Sequence, residues 1–176
     1  MISFRNVAIV AAGLVALAGC AKTAPPAADA AADETAIRAI NPAWFVAYNA
    51  GDADGLAAFY SDDAVLNIPG APAARGRDAI REAFVKDIAA STAAGGFTSN
   101  QGPSPEFGVS GDLGWEWNTF TVTDSSGATV DTGKYVTVYG KKDGKWFIIR
   151  DIWNSDTPPV TPAPAAAAPA AEAPTE

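Results

Sequence analysis

Histidine is absent from the 176 residues, cysteine occurs once, and 12 basic residues face 20 acidic ones, for a net charge of −8. Each shortage excludes something. Without histidine there is no Ser-His-Asp or Cys-His catalysis, no HExxH zinc site and no imidazole proton shuttle. A single cysteine, Cys20, allows neither an internal disulfide nor a thiolate metal cluster. The acidic balance argues against a nucleic-acid partner, because phosphate binding needs a basic face. Gly95-Gly96 lacks the lysine and the following helix of a phosphate-binding loop. No cofactor and no metal site are expected, and no internal repeat is visible. What is abundant is alanine, 39 residues, and its uneven spread marks the organisation.

The two ends are not the fold. Arg5 supplies a short basic region and Val7 to Leu17 is an apolar run of 11 residues. That is too short for a bilayer, which takes roughly 20 residues, and suits a secretory segment. It ends in Leu17-Ala18-Gly19-Cys20, which resembles the bacterial lipobox, whose cysteine is lipidated and becomes the first residue. The alternatives are an ordinary signal peptide with an incidental cysteine, or a buried helix. The expectation is a signal peptide over 1–19 and an anchor at Cys20 in the bacterial cell envelope, on the periplasmic side. Ala21 does not look like an inner-membrane retention signal, which favours the outer membrane. Residues 20–32 read as the lipidated cysteine and an Ala/Pro tether. Residues 157–176 hold eight Ala and six Pro and no aromatic, a composition that cannot offset ordering entropy and predicts a disordered tail.

The remaining domain, 33–156, carries 16 of the 17 aromatics, enough for one ordinary core. Asp33 is placed to cap a helix running to about Ala50, with Ile37, Ile40, Trp44, Ala47 and Tyr48 on one face and a kink or break at Asn41-Pro42. Asp52 caps a short second helix with Leu56 and Phe59 inward. A strand, Ala64 to Ile68, stops at Pro69-Gly70. A third helix runs from Arg77 to about Ser91, with Ile80, Ala83, Phe84 and Ile88 on one face. Then the alanines almost vanish and four β segments follow, about 97–109, 113–123, 129–141 and 145–154, the last two joined by the Lys142-Asp143-Gly144 hairpin signal. Helices first and an antiparallel meander after means α+β, three helices packed on one face of a curved sheet.

Four stretches occur in order: Tyr48-Asn49-Ala50-Gly51-Asp52, Phe59-Tyr60-Ser61-Asp62-Asp63-Ala64-Val65, Gly76-Arg77-Asp78-Ala79-Ile80 and Asp151-Ile152-Trp153-Asn154-Ser155-Asp156. Together they resemble the SnoaL-like and ketosteroid-isomerase-like families of the nuclear transport factor two superfamily, and most of all its uncharacterised bacterial members ending in D-x-W-N. The resemblance implies a cone-shaped α+β fold with a pocket between helices and concave sheet. It does not fix function, since isomerases, cyclases, dehydratases, epoxide hydrolases and non-enzymes share the fold. Aligned on the family, the isomerase's tyrosine falls on Trp44, its base on Ile68 and its second aspartate on Val136. Each departure removes a proton-transfer or hydrogen-bonding group that the reaction needs, so steroid isomerisation is not expected.

The same alignment turns Ile68 and Val136 inward. Period two then points Lys134 and Val138 inward beside Val136, and Ile149, Asp151 and Trp153 inward on the last strand. Trp115, Trp117 and Thr119 are taken as inward, although a one-residue slip would exchange them for Glu116, Asn118 and Phe120. Trp44, Tyr60 and Phe84 join from the helices. The expected lining is aromatic and apolar, suited to a small apolar or aromatic ligand, or else it simply fills the cone as core. Asp151 is the one inward carboxylate, the candidate acid or base, and Lys134 is expected to pair with it. Asp62-Asp63 reads as a turn or cap, and Arg75, Arg77 and Arg81 as a solvated basic face. Three functions remain open: a ligand-binding envelope domain, an enzyme using Asp151, and an interaction module with function on its surface. The last strand is apolar on both faces, and with Tyr135 and Tyr139 expected beside it on the outer one, a sheet-to-sheet homodimer is expected.

Overall fold

The computed structural model describes residues 27–103 and 105–158. In chain order the elements are α1 (Ala27–Arg38), α2 (Ile40–Asn49), α3 (Ala53–Ala58), β1 (Tyr60–Asn67), β2 (Ala74–Arg75), α4 (Arg77–Ala93), β3 (Phe97–Gln101), β4 (Glu106–Ser110), β5 (Leu113–Asp124), β6 (Thr129–Lys142) and β7 (Lys145–Ser155). Cys20, the apolar run before it and residues 159–176 lie outside the described residues. No helix among the described residues is long and apolar enough to cross a membrane.

The predicted first helix is two. Pro42 clashes with the carbonyl one turn back, at Arg38, which is where α1 ends. Pro42 itself sits in the first turn of α2, where its missing N–H costs nothing. α1 starts at Ala27, so Asp33 is not its cap. It lies mid-helix, where its carboxylate accepts from Lys141 Nζ at 2.6 Å and Trp146 Nε1 at 3.0 Å. The Asp52 side chain caps α3, accepting from the Gly55 N–H at 2.8 Å.

The strands form one sheet in the order β2-β1-β7-β6-β5-β3, with β4 also on β5. Every pairing is antiparallel except β1 with β7. The expected segment 97–109 is split at Gly102-Pro103 into β3 and β4, both of which pair with β5. β1 begins earlier than expected, at Tyr60, so Asp62 and Asp63 lie inside it at a register shift against β7 rather than in a turn. Two of the arginines expected as a solvated face, Arg77 and Arg81, are partnered. Arg77 bonds Asp62 at 3.1 Å, and Arg81 pairs with Asp54.

The core fills the space between the helices and the concave face. Ile37, Leu56, Tyr60, Leu66, Ile80, Tyr139 and Ile148 are fully or almost fully buried there. Gly114 on β5 leaves room for the Ile37 side chain of α1, which a Cβ at that position would strike. Burying a Leu or Ile side chain stabilises by roughly 1.5–3 kcal/mol, so these contacts fix the helices on the sheet.

Candidate functional site in the cone

Which side of the sheet faces the helices is decided at the β6–β7 hairpin. Lys142 pairs with Lys145 and Lys141 with Trp146. Trp146 is buried, so the odd residues of β6 turn inward with it: Tyr135, Thr137 and Tyr139. β5 follows through its register, which sets Trp115 across from Val138 and Trp117 across from Val136 on the convex side. The inward residues of β5 are thus Glu116, Asn118 and Phe120.

This corrects much of the expected lining. Trp115, Trp117, Lys134, Val136 and Val138 belong to the convex face, Thr119 with them, while Tyr135 and Tyr139 face inward. The observed register reverses the expected facing of β5 and β6, since a one-residue error moves every side chain of a strand across the sheet. Ile149 is also outside the cone. β7 shifts register between Ile148 and Arg150, and the extra residue there lets both Ile148 and Asp151 point inward, which strict alternation forbids. The expected Lys134–Asp151 pair does not exist. The two lie on opposite faces, and Lys134 bonds Asp156 instead. Tyr60 comes from β1 rather than from a helix.

A cavity of about 230 Å³ opens between α2, α4 and the concave sheet. Of the residues expected in it, Trp44, Ile68, Phe84, Asp151 and Trp153 line it, and Tyr60 lies directly behind. Residues that the sequence reading missed complete the wall: Phe45, Tyr48, Phe120 and Tyr135 among the aromatics, Asn41, Thr137 and Ser155 among the polar groups, and Asp87 and Asp131. Gly133 on β6 provides the space in which the Phe120 ring lies. Trp44 stacks on Tyr48 with ring centres 5.2 Å apart and meets Phe84 edge-on at 5.7 Å.

The deep end is polar. Tyr60, fully buried, donates its hydroxyl to Asp151 Oδ2 at 2.6 Å and accepts from Trp44 Nε1 at 3.2 Å. Thr137 donates to the other oxygen at 3.4 Å. Among the described residues no cation balances Asp151. Burial pushes its carboxyl up to about 6, and the Tyr60 and Thr137 donors only partly offset that. Burial and the neighbouring carboxylate raise the Tyr60 phenol, so it stays a donor. Behind Tyr135 lies a second buried carboxylate, Glu116, 1 % exposed. It accepts from the Tyr135 hydroxyl at 2.6 Å and from Gln101 Nε2 at 2.8 Å. Asn41 donates to the same tyrosine oxygen at 3.3 Å. Asp151 is therefore not alone as an inward carboxylate. The signal for it is the alternation of Glu116, Asn118 and Phe120, which the expected register turns to the convex face.

The arrangement can hold a small, largely aromatic molecule against ring faces, with one carboxylate at the end able to take or give a proton near neutrality. Among the described residues there is no group of His, Cys, Asp and Glu that could hold a metal ion.

Comparison with known proteins bears on this geometry. Residues 42–149, more than half of the chain, match the SnoaL-like domain model. No curated protein matches. Among solved structures, an NTF2-like protein with a cystatin-like fold from Novosphingobium aromaticivorans superposes with a TM-score of 0.63 at 21 % identity, over 69 % of this chain and 80 % of that one. A protein of unknown function from Mycobacterium tuberculosis gives 0.64 at 22 % identity, over 80 % and 82 %. A ketosteroid isomerase-like protein from Erwinia carotovora atroseptica gives 0.54 at 24 % identity, over 70 % and 96 %. At such identities the likeness establishes the NTF2-like fold and nothing of the activity. With the family model spanning the cone from α2 into β7, the chain belongs to the SnoaL-like domain family.

Proposed function

We propose that this chain is a lipid-anchored protein of the bacterial cell envelope whose SnoaL-like domain binds a small apolar or aromatic molecule in its cone. The observation that carries the binding half is the aromatic-walled cavity of about 230 Å³ that reaches the buried Asp151. Ligand pockets usually measure about 300–1,000 Å³, so the occupant is small. The envelope half rests on the sequence alone, on the apolar run ending at Cys20, with the periplasmic side and the outer membrane as the expected place. Native mass spectrometry of the protein released from its own membranes tests both halves. The reading expects acyl mass on Cys20, lost in Cys20→Ala, and a small-molecule adduct on the folded domain. A chain with neither, or a Cys20→Ala variant as firmly membrane-bound as the parent, contradicts it.

A second reading, that the domain is an enzyme with Asp151 as acid or base, is favoured by one observation. A carboxyl held near 6 with Tyr60 and Thr137 fixing its two oxygens suits proton transfer. Conversion of the co-purified molecule on incubation, abolished in Asp151→Asn, would move the assignment to catalysis.

The convex face completes the proposal. Leu113, Trp115, Val136 and Ile152 share it, each 37 to 56 % exposed, and register places Val136 between Trp117 and Ile152. An apolar patch presented by one sheet is self-complementary about a two-fold axis. A second copy of this chain is the occupant we propose for it.

A further inference from the structure

We propose that the molecule taken by the cone is a cation, a small amine carrying an apolar or aromatic group. The inference rests on the reading of the cone as a ligand pocket and adds the charge of its occupant.

The charged side chains that line the cavity are Asp87, Asp131 and Asp151, and none of the described lining residues is Lys or Arg. The domain does not lack cations, but none of the described ones lines the cavity. Among the described residues the ion pairs are Arg38–Glu34, Arg77–Asp62, Arg81–Asp54, Lys134–Asp156 and Lys141–Asp33. None of them involves the three cavity aspartates. Those three are held by hydroxyls instead. Tyr48 donates to Asp87 at 2.5 Å, Ser155 and Thr157 donate to Asp131 at 2.6 and 2.8 Å, and Tyr60 donates to Asp151. The bonds to Asp131 keep its carboxyl below the usual range, so it carries full charge at neutrality. The cavity wall therefore combines three acidic groups with aromatic faces, among them the Trp44–Tyr48 stack.

Each class of occupant meets this wall differently. An anion would face three carboxylates with no cation to receive it. A neutral ring would fill the aromatic space and leave the desolvated charge of Asp151 uncompensated. An ammonium or iminium group gains from both features, since ring faces attract cations and a carboxylate in a poorly hydrated site gains most from a cation beside it. The hydroxyl partners of the aspartates leave free lone pairs on each carboxylate to accept ammonium N–H bonds.

An isosteric series separates charge from shape. The full chain in detergent is titrated calorimetrically at about pH 8, where carboxylates are ionised, with 2-phenylethylammonium, 2-phenylethanol and 3-phenylpropionate. The ammonium should bind at least about tenfold more tightly than the alcohol, and the carboxylate most weakly. Asp151→Asn should remove about tenfold or more of the ammonium affinity and change that of the alcohol far less. Asp87→Asn, at an exposed helix position that does not enter the core, should weaken the ammonium severalfold, and it decides the matter if Asp151→Asn does not fold. Alcohol or carboxylate binding as tightly as the ammonium would overturn the cation while leaving the pocket standing. If none of the three binds, the pocket reading falls with it.

Discussion

Asp151 concentrates the physical tension of the domain. It is 9 % exposed and its neighbours are a phenol, a hydroxyl and aromatic rings rather than a cation. Its carboxyl, ordinarily near 3.9, sits at about 6 in the fold. The folded state thus binds the proton more readily than the unfolded chain, so stability is highest below about pH 4 for this group and is lost as pH rises through 6. The gap corresponds to about 3 kcal/mol. The aspartates held low, such as Asp33, Asp124 and Asp131, are already ionised by about pH 5 in both states, so the window from pH 5 to 8 reads Asp151. Urea unfolding should find the parent more stable at the acid end of that window. Asp151→Asn should flatten the dependence and gain on the order of 1–3 kcal/mol at pH 8, since the amide oxygen still accepts from Tyr60. A parent with no pH dependence there, or an Asn variant that is weaker at pH 8, would contradict the assignment. The sequence reading implied the opposite sign because it gave Asp151 a lysine. It reaches Asp151 itself through the period-two alternation of the last strand, but the absence of a cationic partner is a property of strand parity, which no local pattern states.

At the scale of elements, helices and strands were legible because their signals are local. Pro42 marked the α1–α2 break, Asp52 the start of α3, and the Lys142-Asp143-Gly144 turn the β6–β7 hairpin. Facing was not legible, for two reasons. β5 and β6 carry apolar residues on both sides, so Trp115 and Trp117 outcompete Glu116 and Asn118 for the interior unless the buried hydrogen bonds of the polar pair are known. β7 carries an irregularity that reverses its alternation midway. The start of α1 was missed as well, because alanine and proline composition hid its first turns. Its anchor is Asp33, reaching Lys141 and Trp146 at the far hairpin. Those donors hold the Asp33 carboxyl below its usual range, so this clasp is present above the ordinary carboxylate pKa and lost as pH falls through the depressed value. Asp33→Ala should raise amide exchange across α1 at neutral pH and leave β5 and β6 protected. Unchanged exchange in α1 would show that Ile37 on Gly114 holds the helix without the clasp.

At the scale of the whole fold, the described residues present two apolar surfaces, one enclosed and one open. The open one, around Trp115 and Ile152, predicts that the domain sediments as a dimer at micromolar concentration in the absence of its lipid, and that Trp115→Glu sediments as a monomer. A monomeric parent would count against the convex interface. That α+β cone was legible in four short motifs and in the order of its elements. The enclosed surface was legible only in its helical half, Trp44 and Phe84, because the sheet half depends on register. That the enclosed surface is a pocket is the central claim, and Ala83 of α4 gives access to it, since its side chain borders the cavity. Calorimetric titration with indole of the chain and of Ala83→Phe, at matched urea stability, tests it most directly. The account predicts saturable binding by the parent and none by the filled variant. Absence of binding to the parent, or equal binding by both, would contradict it.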